Sequence, residues 1–104
     1  MYCMSDLDLE PTSKEATGRR LRLTRRALDL ESGAFASAAG IAKNTYSQYE
    51  SGERMPKLEF ALRLCDRFEL TLDWIYRGDP SGLKYSLADQ IIRLRRQGNS
   101  TSRK

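Results

Sequence analysis

The sequence predicts an all-α fold of five helices with an additional C-terminal helix, and three observations carry that prediction. Apolar residues recur at three- and four-residue spacing through most of the chain, the period of a helix with one buried face. Gly40, Gly52, Gly78 and Gly98 fall between the periodic runs, where helices stop and turns begin. No stretch alternates apolar with polar residues as a half-buried strand does, and no internal repeat or low-complexity tract is visible.

The chain has 104 residues, 39% hydrophobic and 31% charged, enough for one small core with tails and too little for a multidomain enzyme. No apolar run approaches the roughly 18 residues of a membrane span, and the start, MYCMSDLDLEP, has neither a basic nor an apolar leader region. A cytoplasmic protein that does not enter the membrane is expected. There is no His, and Cys3 and Cys65 lie far apart, so neither a Cys/His metal site nor a Cys/His nucleophile pair can be assembled. Without a Gly-rich phosphate loop or a close carboxylate pair, no catalysis, metal or cofactor is expected. Lys and Arg number 18 against 14 Asp and Glu, a net charge of +4 that suits an anionic partner. Residues 1–17 are acidic as a group, with Asp6, Asp8, Glu10 and Glu15 against Lys14, so the positive charge belongs to the body and the C-terminal end.

Residues 1–17 show little apolar periodicity and read as a flexible N-terminal arm. Helix 1 runs from Gly18 to near Asp29, with Leu21, Thr24, Ala27 and Leu28 on one face and Arg19, Arg20, Arg22 and Arg26 around it. Ser32 to Ala39 suits a short second helix that Ser32 can cap and Gly40 ends. Residues 43–51 make the third, with Tyr46 and Tyr49 inward as core aromatics whose hydroxyls sit at the rim, and with Gly52 just past its end. Pro56 opens the fourth, which carries Leu58, Ala61, Leu64, Cys65 and Phe68 as its apolar stripe. Thr71 caps a fifth through Tyr76, where Trp74 and Ile75 close the core, before Gly78-Asp79-Pro80. A sixth starts at Ser86, with Asp89 as in a capping box, and runs through Leu87, Ile91, Ile92 and Leu94 to Gly98, ahead of a frayed end.

The functional signal lies in residues 32–51, SGAFASAAGIAKNTYSQYES. Ala36 leaves room for a close crossing, Gly40 makes a tight turn, and Phe35, Ala39, Ile41, Tyr46 and Tyr49 point to one shared core. The bland alternative is a plain αα-hairpin. Against it stands the outward face of helix 3, where Lys43, Asn44, Ser47 and Gln48 all form hydrogen bonds and none is acidic, the side-chain types that read base edges.

From Gly18 to Gly78 the chain resembles the Cro and phage-repressor type of helix-turn-helix, the XRE family of transcriptional regulators. The resemblance rests on the turn itself, Arg25, the run YESGERMP from Tyr49 to Pro56 and LTLDWIYRG from Leu70 to Gly78. It implies a five-helix Cro/repressor-like domain with helix 3 in the major groove of double-stranded DNA, usually as a homodimer on a palindromic operator. Matched by position, Lys43, Asn44 and Gln48 are the base contacts, while Ser32, Thr45, Ser47 and Arg54 are the phosphate contacts. Arg25 and Glu50 stand where the family forms an ion pair between helices 1 and 3. The chain departs from the usual pattern at Ser32, where Gln is common, at Ala42, where Ser or Thr caps helix 3, and at the two tyrosines. Arg19 and Arg22, and likewise Arg93, Arg95 and Arg96, suit either a solvated face or phosphate contacts.

The resulting expectation is a sequence-specific regulator, a repressor acting by operator occupancy. The alternative class is an antitoxin-type module whose segment from Ser81 onward neutralises a protein partner and which represses its own synthesis. Residues 79–104 form a C-terminal extension. Its stripe of Leu87, Ile91 and Leu94 must be covered, either by its own domain or, the favoured reading, by the same stripe of a second copy across a twofold axis.

Overall fold

A computed structural model describes residues 12–101, with side chains through Arg96. Helix α1 spans Lys14–Ala27, so it begins before Gly18, and residues 14–17 are not part of an arm. Ser13 explains the early start: its hydroxyl accepts the Ala16 N–H at 3.1 Å, with Glu15 in the positive first turn. Ala16 and Thr17 are buried, which anchors that turn. The rest of the expected arm, residues 1–11, lies outside the described residues.

Helices α2, Ser32–Ala38, and α3, Lys43–Glu50, are joined by a tight turn. Gly40 takes φ +72°, while the Gly40 and Ile41 N–H groups donate back to the carbonyls of Ser37 and Ala36 at 3.0 and 2.9 Å. This is a Schellman closure, which needs a left-handed residue at the glycine. Ser32 is the first helical residue rather than the cap; Glu31 holds the cap position and makes no side-chain cap bond. Helix α4 spans Leu58–Phe68. Pro56 therefore sits ahead of the helix instead of opening it, buried, with its carbonyl taken by the Tyr76 hydroxyl at 2.7 Å. On α4, Ala61 and Leu64 are buried, but Leu58 is 57% exposed, so the expected stripe loses its first member.

Thr71 accepts the Trp74 N–H at 3.0 Å and starts α5, Asp73–Arg77, which winds as a single π turn closed by Gly78 at φ +79°. A 3₁₀ turn, Pro80–Gly82, leads into α6, Tyr85–Thr101. Ser86 is inside α6 rather than capping it, and the backbone stays helical past Gly98, whose intrinsic cost in a helix is only about 1 kcal/mol. Among the described residues there is no strand, and no helix is long and apolar enough to cross a membrane.

One core joins all six helices. Phe35 stacks on Phe68 with ring centroids 4.6 Å apart and meets Tyr46 edge-on at 5.4 Å. Cys65 is partly buried at the margin, its thiol pushed above the ordinary value by burial first and by Asp66 second. The Trp74 indole N–H donates to Thr24 Oγ1 at 2.8 Å, and that hydroxyl donates to the Arg20 carbonyl at 2.7 Å. Arg20 itself is buried, not on the solvated arginine face. Its Nε and Nη2 donate to the Ile75 carbonyl at 3.2 and 2.9 Å and so satisfy the π turn. Burial, then Arg95, lowers its pKa to about 10, which leaves it charged at neutral pH.

Helix α6 lies against α1, and Leu83, Leu87 and Ile91 are part of the same core, with Leu94 partly buried. The C-terminal stripe is thus covered by its own domain, which corrects the expectation that it pairs with a second copy. A side chain already buried within one chain has no surface left to offer another.

Candidate nucleic-acid interface

Helix α3 divides cleanly by face. Tyr46 and Tyr49, three residues apart, are 0% and 1% exposed, whereas Lys43, Asn44 and Ser47 are exposed and Gln48 and Thr45 half-buried at the edges. The inward pair leaves one outward surface carrying an ammonium, two amides and two hydroxyls.

This surface is held rigidly. Arg25 of α1 donates to Glu50 from Nε at 2.8 Å and from Nη2 at 3.1 Å, a bidentate pair with each side chain 16% exposed. The Tyr46 hydroxyl donates to the same carboxylate at 2.5 Å, and Arg25 Nη1 donates to the Leu30 carbonyl at 3.0 Å. The Glu50 carboxylate therefore ties α3 to α1, and Arg25 in turn ties both to the loop before α2. The hydrogen bond to Glu50 is the main reason the Arg25 guanidinium is raised from its ordinary pKa. Burial, followed by Glu50, does the same to Tyr46. The tyrosine hydroxyls are not at the rim as expected: Tyr46 is paired inside, and the buried Tyr49 hydroxyl has no hydrogen-bond partner among the described residues.

Closest approach falls at Gly18. A Cβ built there would lie 2.6 Å from the carbonyl oxygens of both Tyr49 and Glu50, so the end of α3 rests on bare α1 backbone. At the other side of the turn, Arg63 Nη1 donates to the Gly40 carbonyl at 3.2 Å. Sequence reasoning missed Gly18, Arg20 and Arg63. For Gly18 a signal existed, a glycine inside an otherwise helical pattern, which costs stability unless close packing requires it.

Beyond α3, the Glu53 and Arg54 N–H groups donate to the Gln48 carbonyl at 3.0 and 3.2 Å, which fixes the exposed Arg54 next to the end of α3. Ser32, at the start of α2, is half-buried, and the Lys43 side-chain methylenes pass within van der Waals reach of a Cβ at Gly33. Lys43 and the start of α2 are thus brought together across the turn. Arg19, Arg22 and Arg26 are exposed on α1, whereas Arg93 pairs with Asp89 at 3.1 Å.

A family model described as a helix-turn-helix domain matches residues 16–73. The chain belongs to the helix-turn-helix family. The match starts at Ala16, inside the first turn of α1, and so agrees with the early start of that helix. Over 54 residues this helix-turn-helix chain is 33% identical to the cryptic phage CTXphi transcriptional repressor RstR of Vibrio cholerae, covering 52% of the chain and 48% of RstR. Over 38 residues it is 53% identical to the HTH-type transcriptional regulator AnsR of Bacillus subtilis, covering 36% of the chain and 33% of AnsR. The matched segments span about half of RstR and a third of AnsR. No solved structure matches the chain significantly.

Proposed function

We propose that this chain is a sequence-specific DNA-binding transcriptional regulator of the Cro/repressor (XRE) type, acting as a repressor by occupying an operator. Helix α3 enters the major groove, where Lys43 favours a guanine edge and Asn44 and Gln48 each pair with adenine. Ser32, Thr45, Ser47 and Arg54 grip phosphates and set the register without reading sequence. The observation that carries this reading is the two-faced α3: a polar, non-acidic outer surface on a helix whose inner surface is fixed by Tyr46, Tyr49 and the Glu50 network. The names of RstR and AnsR, a transcriptional repressor and a transcriptional regulator, support it. The protein acts as a homodimer on a twofold-related site, since one small domain gains little operator specificity alone.

Selection of binding sequences from a random duplex pool by the purified full chain tests the proposal. Enrichment of one motif in inverted repeat supports it, and a pool that stays random after several rounds overturns it. The antitoxin reading rests on the segment from Ser81 onward. With Leu87 and Ile91 in the core, Tyr85 and Ile92 are the large apolar side chains that segment still exposes among the described residues. A stoichiometric protein partner recovered from co-expression, together with no selected motif, is the result that favours it.

A further inference from the structure

The outward face of α1 is a row of arginines. Arg19, Arg22 and Arg26, spaced by three and four residues, share one side of the helix and are exposed, whereas Thr17, Arg20, Leu21 and Thr24 are buried. None of the three has an ion-pair partner among the described residues, and neither does Glu15 or Asp29 at the two ends of the row. Like charges at this spacing destabilise a helix about as much as opposite charges support it, so the row gains from an anion laid along it. Residues 1–11, just ahead of α1, have the matching composition: Asp6, Asp8 and Glu10, with no Lys or Arg.

We propose that the outer face of α1 is a docking surface for residues 6–10 of the same chain, which fold back along the helix and pair Glu10 with Arg19, Asp8 with Arg22 and Asp6 with Arg26. The backbone turns at Thr12 and bends at Ser13 immediately before the helix, where such a reversal must occur. Pro11 biases Glu10 toward an extended conformation, and in an extended segment residues two apart point the same way, so all three carboxylates share one side. Lengths agree as well. Counted back from Ser13, extended chain reaches about 10 Å at Glu10, about 17 Å at Asp8 and about 23 Å at Asp6. Counted forward along the helix axis, Arg19, Arg22 and Arg26 lie at about 9, 14 and 20 Å. Segment and row therefore match in sign, number and spacing.

The loop after α3 also lies near the start of α1, since a Cβ at Gly52 would come within 3.2 Å of the Glu15 Cα. That loop offers the exposed Arg54 beside the exposed Glu53, one cation against one anion, and so competes poorly. Exposed ion pairs are individually weak and screened by salt, which makes the docked segment a salt-sensitive equilibrium. While docked, it shields the α1 arginines from outside anions and acts as a built-in competitor for that face.

Heteronuclear NMR of the full chain at low salt, without DNA, tests this. Asp6→Asn, Asp8→Asn and Glu10→Gln combined should shift the side-chain Nε–H signals of Arg19, Arg22 and Arg26 while leaving those of α3 in place. The difference should persist on tenfold dilution and vanish at high salt. Arg22→Gln with Arg26→Gln, both at exposed positions, should keep the helical circular dichroism and move the signals of residues 1–11 to those of a free peptide of that sequence. Inorganic polyphosphate added to the wild type should release the segment in the same way. Four results overturn the proposal: arginine signals on α1 indifferent to the carboxylates, changes centred on Arg54, changes lost on dilution, which would assign the contact to another copy's segment, or a segment unmoved at any polyphosphate concentration.

Discussion

At Gly18 a single hydrogen atom decides how close α3 sits to α1. Gly→Ala inside a helix ordinarily stabilises by up to about 1 kcal/mol. With two carbonyl oxygens 2.6 Å from the new carbon, Gly18→Ala is instead expected to destabilise by about 1–3 kcal/mol, read as a lower urea midpoint. A rise in the midpoint would show that the contact relaxes freely. The two tyrosines of α3 make a second pair of opposed predictions. Tyr49→Phe removes a buried hydroxyl without a partner and should leave stability unchanged or raise it, whereas Tyr46→Phe strips a donor from Glu50 and should cost about 1–3 kcal/mol. Thermal melts that rank the two variants the other way round would contradict the network. Residue types announced which side of α3 faces inward, because Tyr46 and Tyr49 follow the helical period. They did not announce the hydroxyl partners, since a hydrogen bond depends on where a second element lands and not on local pattern.

For whole elements, the periodic helices were legible and their ends were less so. Gly40, Gly52 and Gly78 mark turns because each takes a positive φ that other residues reach at a cost. The start of α1 was obscured because Ser13 is a cap in a stretch whose composition otherwise reads as polar. Helix α4 was misjudged at Leu58 because periodicity finds an apolar residue and cannot tell the buried middle of a stripe from its exposed margin. The C-terminal helix carries the largest correction, and a prediction with it. Removing residues 83–104 strips Leu83, Leu87 and Ile91 from the core, each worth about 1.5–3 kcal/mol when buried. Their sum is comparable with the whole stability of a small domain, about 5–15 kcal/mol, so the truncated chain should be unfolded or nearly so by circular dichroism. A truncated chain that melts cooperatively at the same temperature would show that α6 contributes nothing.

Taken as a whole molecule, the chain presents an anchored α3, an exposed Arg54 pinned beside it and a net charge of +4, an arrangement whose affinity for DNA must depend on salt. Log affinity should fall linearly with log salt, and Arg54→Ala should weaken every duplex about equally while reducing that slope by about one. The sequence conveyed which α3 side chains face outward, because exposure along a single helix follows its period. Arg20, Gly18 and Arg63 act across the fold and could be identified only once it was assembled. The most direct test of the central claim, that α3 reads bases, is the affinity of the wild type and of Gln48→Ala for a selected duplex and for each of its single base-pair variants. The account predicts that Gln48→Ala loses about 1–3 kcal/mol of discrimination at one base pair in each half-site and keeps it elsewhere. Discrimination unchanged at every position, or lowered evenly across the site, would contradict it.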